Sequence, residues 1–251
     1  MSILEKALSH SKKIGIDECE IVTVEKKTTT VRITDSEIAE IKQNFDKKYG
    51  IRIIHQKKIV SIQTTDNQNI EKTIDSIFET ISNFKPREFW KGLPYKISAR
   101  KIEGTFDEKL EEISGKNSMD IAQSMINSAD SEKIDTITGS LNIVSEDFQL
   151  RNSQGLEFND KATYVSGIIN AESEQGNIPV SGIGHASGRT LSNFSKEQIG
   201  EDAKIMCIES INPQKIESDT YPIIFEPYSV GELLAFVVAS NFNFKTFTEK
   251  K

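Results

Sequence analysis

A hydrolytic metal centre needs three or four ligands from His, Cys, Asp or Glu, usually with a close pair at helical or hairpin spacing. The chain has three histidines, His10, His55 and His185, and two cysteines, Cys19 and Cys207. No histidine lies near another or near a cysteine in sequence, and neither HExxH nor CxxC occurs. His55 reads as a strand residue beside a turn, and His185 as a loop or strand-end residue. Cys207 falls on the apolar face of a predicted helix, where a thiol packs as core. SGIGHASG, from Ser181, has glycines spaced G-x-G-x-x-x-G, but RTLSNFSKE follows it rather than a helix opening inside the motif. A phosphate cradle needs that helix, so these glycines predict strand bends or a wide turn. NSQG at 152–155 carries a serine without a nucleophile elbow and predicts a turn. No catalytic residue, metal ligand or cofactor-binding residue can be assigned from local sequence.

The totals bound the class. At 251 residues the chain has room for one large domain or two ordinary ones. Its formal charge of -7 disfavours nucleic acid and anionic membrane as general partners, since both reward positive surface. Two cysteines cannot make a disulfide framework and fit a reducing compartment. MSILEKALSHSKKIG lacks the order of a signal peptide, with Glu5 and Lys6 interrupting it, and reads instead as an amphipathic helix. The longest apolar stretch, residues 233–239, is far below the ~20 residues a membrane-spanning helix needs. The expected location is cytoplasmic, with no membrane partner.

The elements that would have to position any chemistry follow from periodicity. EIVTVEKKTTTVRITDSEIAEIKQN alternates apolar and polar residues, as half-buried strands do. YGIRIIHQKKIVSIQTT continues the pattern, with Gln56-Lys57-Lys58 as hairpin tip. Ile70, Ile74, Ile77, Phe78 and Ile81 recur at helical spacing before Pro86. Residues 1–85 therefore predict a first α+β unit. KPREFWKGLPYKI, within 86–104 apart from its first lysine, predicts a linker. Its Lys85, Arg87, Trp90, Lys91, Tyr95 and Lys96 could stack and bind bases, but aromatics packing on neighbouring domains is the plainer reading. FDEKLEEIS and SMDIAQSMINSA predict helices separated by Gly115. A long β-rich region follows, then SKEQIGEDAKIMCIESIN predicts a helix with Ser195 as N-cap. These make a second α+β unit over 105–213. In 220–251, TYPIIF predicts a short buried strand and GELLAFVVAS a helix apolar all round, so both expect a covering layer. The fold class is α+β: two consecutive units with antiparallel sheets, then the start of an incomplete β-rich C-terminal domain. The sequence is expected to be C-terminally truncated.

The order of three stretches, EIAEIKQNFDKKYGIRIIHQKKIVSIQTTD, RNSQG and YPIIFEPYSVGELL, resembles the TldD/PmbA family of metallopeptidases, also called modulators of DNA gyrase. The resemblance implies two N-terminal α+β units before a large β-rich C-terminal domain. It further implies a paired assembly in which a TldD-type subunit carries zinc on an HExxxH helix. Projected onto this chain, the first His falls at Ala235, the Glu at Phe236 and the second His at Ser240. The resemblance is therefore to the PmbA/TldE-like, non-catalytic type, with zinc expected in a partner subunit and none in this chain. It implies a TldD-like catalytic subunit and an unfolded peptide as partners. The alternative is a binding or regulatory protein without a peptidase partner, including modulation of a nucleic-acid enzyme. Lys57, Lys58 and the basic aromatic linker are the candidates for that role.

Overall fold

Thr, Val and Ile alternate with charged residues after Glu18, and the chain folds that stretch into one strand, β1 (Glu18–Thr34). The structure is a computed structural model that describes residues 2–95 and 102–243. A turn with positive φ at Asp35 and Ser36 leads into β2 (Glu37–His55), and a second such turn at Gln56 and Lys57 leads into β3 (Lys58–Thr64). Two successive positive φ values give the twist that matches right-handed strands in a tight hairpin. The hairpin tip is thus Gln56-Lys57, with Lys58 already in the strand. The stretches EIAEIKQN and GIRII are one continuous strand, β2. Helix α1 (Ile3–Lys13) opens on a capping box in which Ser2 and Glu5 satisfy each other's backbone amides. Helix α2 (Ile70–Thr80) buries Ile70, Ile74 and Ile77.

The second half supplies α3 (Glu108–Glu111), α4 (Gly115–Ala129), β4 (Thr136–Asn152), β5 (Glu157–Ser173), β6 (Val180–Gly188) and α5 (Lys196–Glu209). Gly115 does not separate two helices. It begins α4, behind Ser114, whose side chain caps the Asn117 amide. Ser195 holds the N-cap position of α5, but its side chain makes no capping bond.

All six strands join in one antiparallel sheet, ordered β3-β2-β1-β4-β5-β6. The two stretches expected as separate units share it, because β1 pairs with β4 from Glu20↔Asn152 to Ile33↔Gly139. One pairing satisfies the outer backbone groups of both strands, which two separate three-stranded sheets would have left as open edges. Cys19, Ile21, Val31 and Ile33 of β1 are all buried, and by strand alternation they share a face. Cys19 and Ile21 pack with α1 and α2, while Val31 and Ile33 pack with α4 and α5. Both helical layers therefore cover the same side of the sheet, one at each end of β1. Residues Met1–Asn212 form this unit.

The glycines of SGIGHASG are strand residues and not bends. They lie inside β6, and a Cβ on Gly184 would stand 1.9 Å from the Ile199 carbonyl oxygen. One on Gly182 would stand 2.3 Å from the Ala203 oxygen. Helix α5 lies directly on the strand backbone, an approach only glycine permits.

Residues Pro213–Lys251 form a second unit. The expected strand over TYPIIF is absent, and Ile224 is 97% exposed. A lone extended segment has no neighbour to bond its backbone, so it does not register as a strand. Helix α6 (Pro227–Leu233) follows, with Pro227 in its first turn, where a missing amide costs nothing.

Candidate functional site

Beyond α6 the backbone widens into a π turn over Leu234–Val238 and then tightens into a 3-10 turn over Ala239–Phe242. The helix expected over 231–240 is thus three kinds of helix in succession. The widening takes in Ala235 and Phe236, the first two positions projected for the HExxxH motif, and ends before Ser240, the last. The chain lacks the ligands at these positions. Ala235 has no donor atom, and Phe236, 78% exposed, presents a ring. Ser240 lies in the 3-10 turn. Neither Ala235 nor Phe236 can serve a zinc ion. Among the described residues no group of three or more His, Cys, Asp or Glu could hold a metal.

The histidines and cysteines are dispersed. His10 Nε2 lies 2.6 Å from Asp75 Oδ1, tying α1 to α2. His55 ends β2 and meets the Phe78 ring edge-on. His185 sits inside β6, opposite Ile168, rather than in a loop. Burial pushes the Cys19 thiol up to about 11, and burial followed by Asp135 and Glu172 also raises that of Cys207. Neither is a nucleophile near neutral pH. A thiol reagent at pH 8 is expected to label the native chain very slowly and both cysteines after denaturation. Rapid native labelling would show that one of the two is exposed.

The densest polar cluster surrounds the start of β1. Glu18 Oε2 accepts from Trp90 Nε1 at 2.8 Å, and Glu18 Oε1 accepts from the Leu93 amide at 3.2 Å and Gln154 Nε2 at 3.3 Å. Asn152, 3% exposed, donates to the Pro94 carbonyl and accepts from the amides of Gln154 and Leu156. Ser153 Oγ accepts from the Cys19 amide. The RNSQG turn therefore closes the β4–β5 hairpin and clamps the connecting segment onto β1. Of the aromatic residues in that segment, Trp90 is anchored, while Phe89 and Tyr95 are 57% and 72% exposed. Lys96 lies outside the described residues. Trp90 is the chain's one tryptophan, so Glu18→Ala is expected to red-shift its emission and speed cleavage of the segment by protease. An unchanged spectrum would mean that Glu18 does not hold the ring.

A hollow lined by Phe106, Asp107, Glu108, Lys109, Thr190, Leu191 and Ser192 also holds two carboxylates, of which Glu108 is exposed. Asp107 is occupied in capping: it accepts from the Lys109 amide at 2.9 Å and the Leu191 amide at 2.8 Å. On the sheet face away from the helices, Lys26 meets Tyr164 Oη at 2.9 Å and Glu146 at 3.1 Å. Those contacts, led by the tyrosine, hold the Lys26 ammonium above its usual range. It is a cross-strand brace and offers no base. What the unit does expose are strand edges. β3 pairs only with residues Tyr49 to His55 of β2, and among the described residues no strand lies on the outer side of 37–48. The outer edge of β6 is partly blunted, because the Ile183 amide bonds Met206 Sδ at 3.4 Å.

Residues 19–83 match the family model described as PmbA/TldA metallopeptidase domain 1. The TldD/PmbA resemblance read from the sequence is borne out by that match. No curated protein sequence matches the chain. Several solved structures share its fold, among them three bacterial and archaeal proteins. The TldE of Thermococcus kodakarensis superposes with a TM-score of 0.87 at 17% identity, covering 99% of this chain and 57% of that one. A Bacteroides thetaiotaomicron protein carrying the name modulator of DNA gyrase gives 0.85 at 17% identity, with coverage of 99% and 58%. One of the same name from Thermotoga maritima gives 0.75 at 20% identity, with coverage of 86% and 50%. The chain thus spans little more than half the length of these relatives. Among the described residues no helix is long and apolar enough to cross a membrane.

Proposed function

We propose that this TldD/TldE-type chain is the non-catalytic subunit of a cytoplasmic zinc metallopeptidase complex that processes unfolded peptides. The observation that carries the reading is the side chains at 235 and 236. Zinc hydrolysis needs a metal to acidify water and polarise the carbonyl, with a carboxylate as general base. Alanine and phenylalanine supply neither. In this reading the metal chemistry belongs to a TldD-like partner, and this chain helps to enclose the peptide. Exposed strand edges suit an extended peptide, whose main chain can add to a sheet. Residues 220–251 would open a β-rich C-terminal domain, following 1–85, the connecting segment 86–104 and 105–213, of which the first and third share one sheet.

The test is reconstitution. The chain alone is expected to retain no zinc and cleave no unfolded peptide, and addition of a TldD-like subunit is expected to give a zinc-containing, active complex. Peptide hydrolysis by this chain alone would overturn the reading.

A regulatory protein without a peptidase partner is the second reading, motivated by the name carried by two of the structural relatives. The candidate basic tip is already engaged, since Lys57 pairs with Glu88 at 3.0 Å and Lys58 donates to the Ser82 carbonyl at 3.1 Å. This reading expects DNA affinity that falls steeply with salt and disappears in Lys57→Glu/Lys58→Glu. Absence of such affinity removes its support.

A further inference from the structure

We propose that the outer edge of β2 is a self-association site that joins two copies of this chain through antiparallel β2–β2 pairing. This inference is independent of the proposed peptidase partnership. Among the described residues, 37–48 pair with β1 on one side only, because β3 begins its contact at Tyr49. Alternate amides and carbonyls along that length therefore face outward, the ordinary template for another strand. The side chains of residues 39–48 are exposed, and Phe45, at 71%, is a large apolar group set on the edge.

Charge order selects the occupant. On the helix-free face of β2, alternation places Glu40, Lys42, Asn44, Asp46 and Lys48 in a row. Reversed and laid beside itself about Asn44, this row is complementary throughout. Glu40 meets Lys48 of the second copy, Lys42 meets Asp46, and Asn44 meets Asn44. Sliding by one same-face step either way destroys the match. One slip sets Glu40 against Asp46, and the other sets Lys42 against Lys48. Opposite charges directly across a strand pair stabilise it, and like charges repel. A defensive edge needs only charge, commonly of one sign. This order, complementary to itself in a single register, fits a second copy. Within the described chain only Glu40 of these four charged residues has an ion-pair partner, Arg32 at a loose 3.9 Å. The same register sets each Phe45 opposite Gln43 of the other copy, so the two rings become diagonal neighbours across the two-fold axis, within reach of each other.

Charge exchange tests this. Wild-type chain at micromolar concentration is expected to sediment at twice its mass of 28.2 kDa. Lys42→Glu sets a carboxylate against Asp46 of the other copy, and Asp46→Lys sets an ammonium against Lys42. Each single variant is expected to weaken the dimer by roughly tenfold or more, since two contacts change sign. Mixing the two variants is expected to restore dimer, because every pair across the mixed interface is again opposite. The double variant Lys42→Glu/Asp46→Lys is expected to dimerise by itself. Circular dichroism of each exposed-site variant guards against misfolding. A monomeric wild type would overturn the proposal and leave this edge to another occupant. So would single variants that dimerise as wild type does, or a mixture that stays monomeric.

Discussion

Gly184→Ala is expected to cost about 3 kcal/mol or more, near the top of the overpacking range. The added Cβ would stand 1.9 Å from the Ile199 carbonyl oxygen and 2.8 Å from the Ala203 amide nitrogen. Both are backbone atoms of α5, so no side chain can rotate out of the way. The helix must lift from β6, and with it Ile199, Ala203 and Cys207, all fully buried, lose their packing. For a unit of this size the loss corresponds to a melting temperature lower by roughly 6–12 °C. Ile183→Ala, at a neighbouring exposed position, is expected to move it far less, because exposed sites usually change stability by under ~0.5 kcal/mol. A Gly184→Ala chain that melts with wild type would mean that α5 does not rest on the strand.

The second large effect is expected at Asn152. Its amide donates to the Pro94 carbonyl at 2.9 Å and accepts from the amides of Gln154 at 2.9 Å and Leu156 at 3.0 Å. Asn152→Ala removes three partners at a buried site, where each orphaned group costs about 1–3 kcal/mol. A net loss of about 3 kcal/mol is expected, since some of the freed groups will reach water. Asn152→Asp separates the roles. The carboxylate still accepts from both amides, but it turns an oxygen towards the Pro94 carbonyl in place of a donor. That variant is expected to keep the hairpin turn and release the connecting segment, so Trp90 emission shifts more than the melting temperature. Equal losses in the two variants would show that the turn and the clamp are not separable.

The two predictions sit in places that the sequence conveys unequally. The period-two pattern of β1 and the helical spacing of Ile70, Ile74 and Ile77 are local signals, and the elements stand where they indicate. Pairing of β1 with β4 is not local. The two strands lie more than a hundred residues apart, and each has the half-buried pattern of either an edge or an interior strand. Division into two units is therefore the natural local reading, and the shared sheet is invisible to it. The glycines at 182 and 184 are legible as a departure from ordinary strand composition. Their cause, a helix resting on the backbone, needs the third dimension. Asn152 reads as a turn residue, which it is, but its reach to Pro94 has no local signal.

At the candidate site the balance is reversed. The types of residues at 235 and 236 are plain in the sequence, and no fold can give alanine a ligand atom. What the structure adds is a π turn through both residues that tightens into a 3-10 turn before Ser240. TYPIIF fails as a strand for a different reason. Its apolar pattern is real, but a strand exists only when another is present to bond it.

The most direct test of the central claim is to isolate the chain gently from its native cells, with whatever binds it, and measure zinc in each separated component. The account predicts a co-purifying TldD-like subunit that carries the zinc, and none on this chain. Stoichiometric zinc held by this chain itself would contradict it.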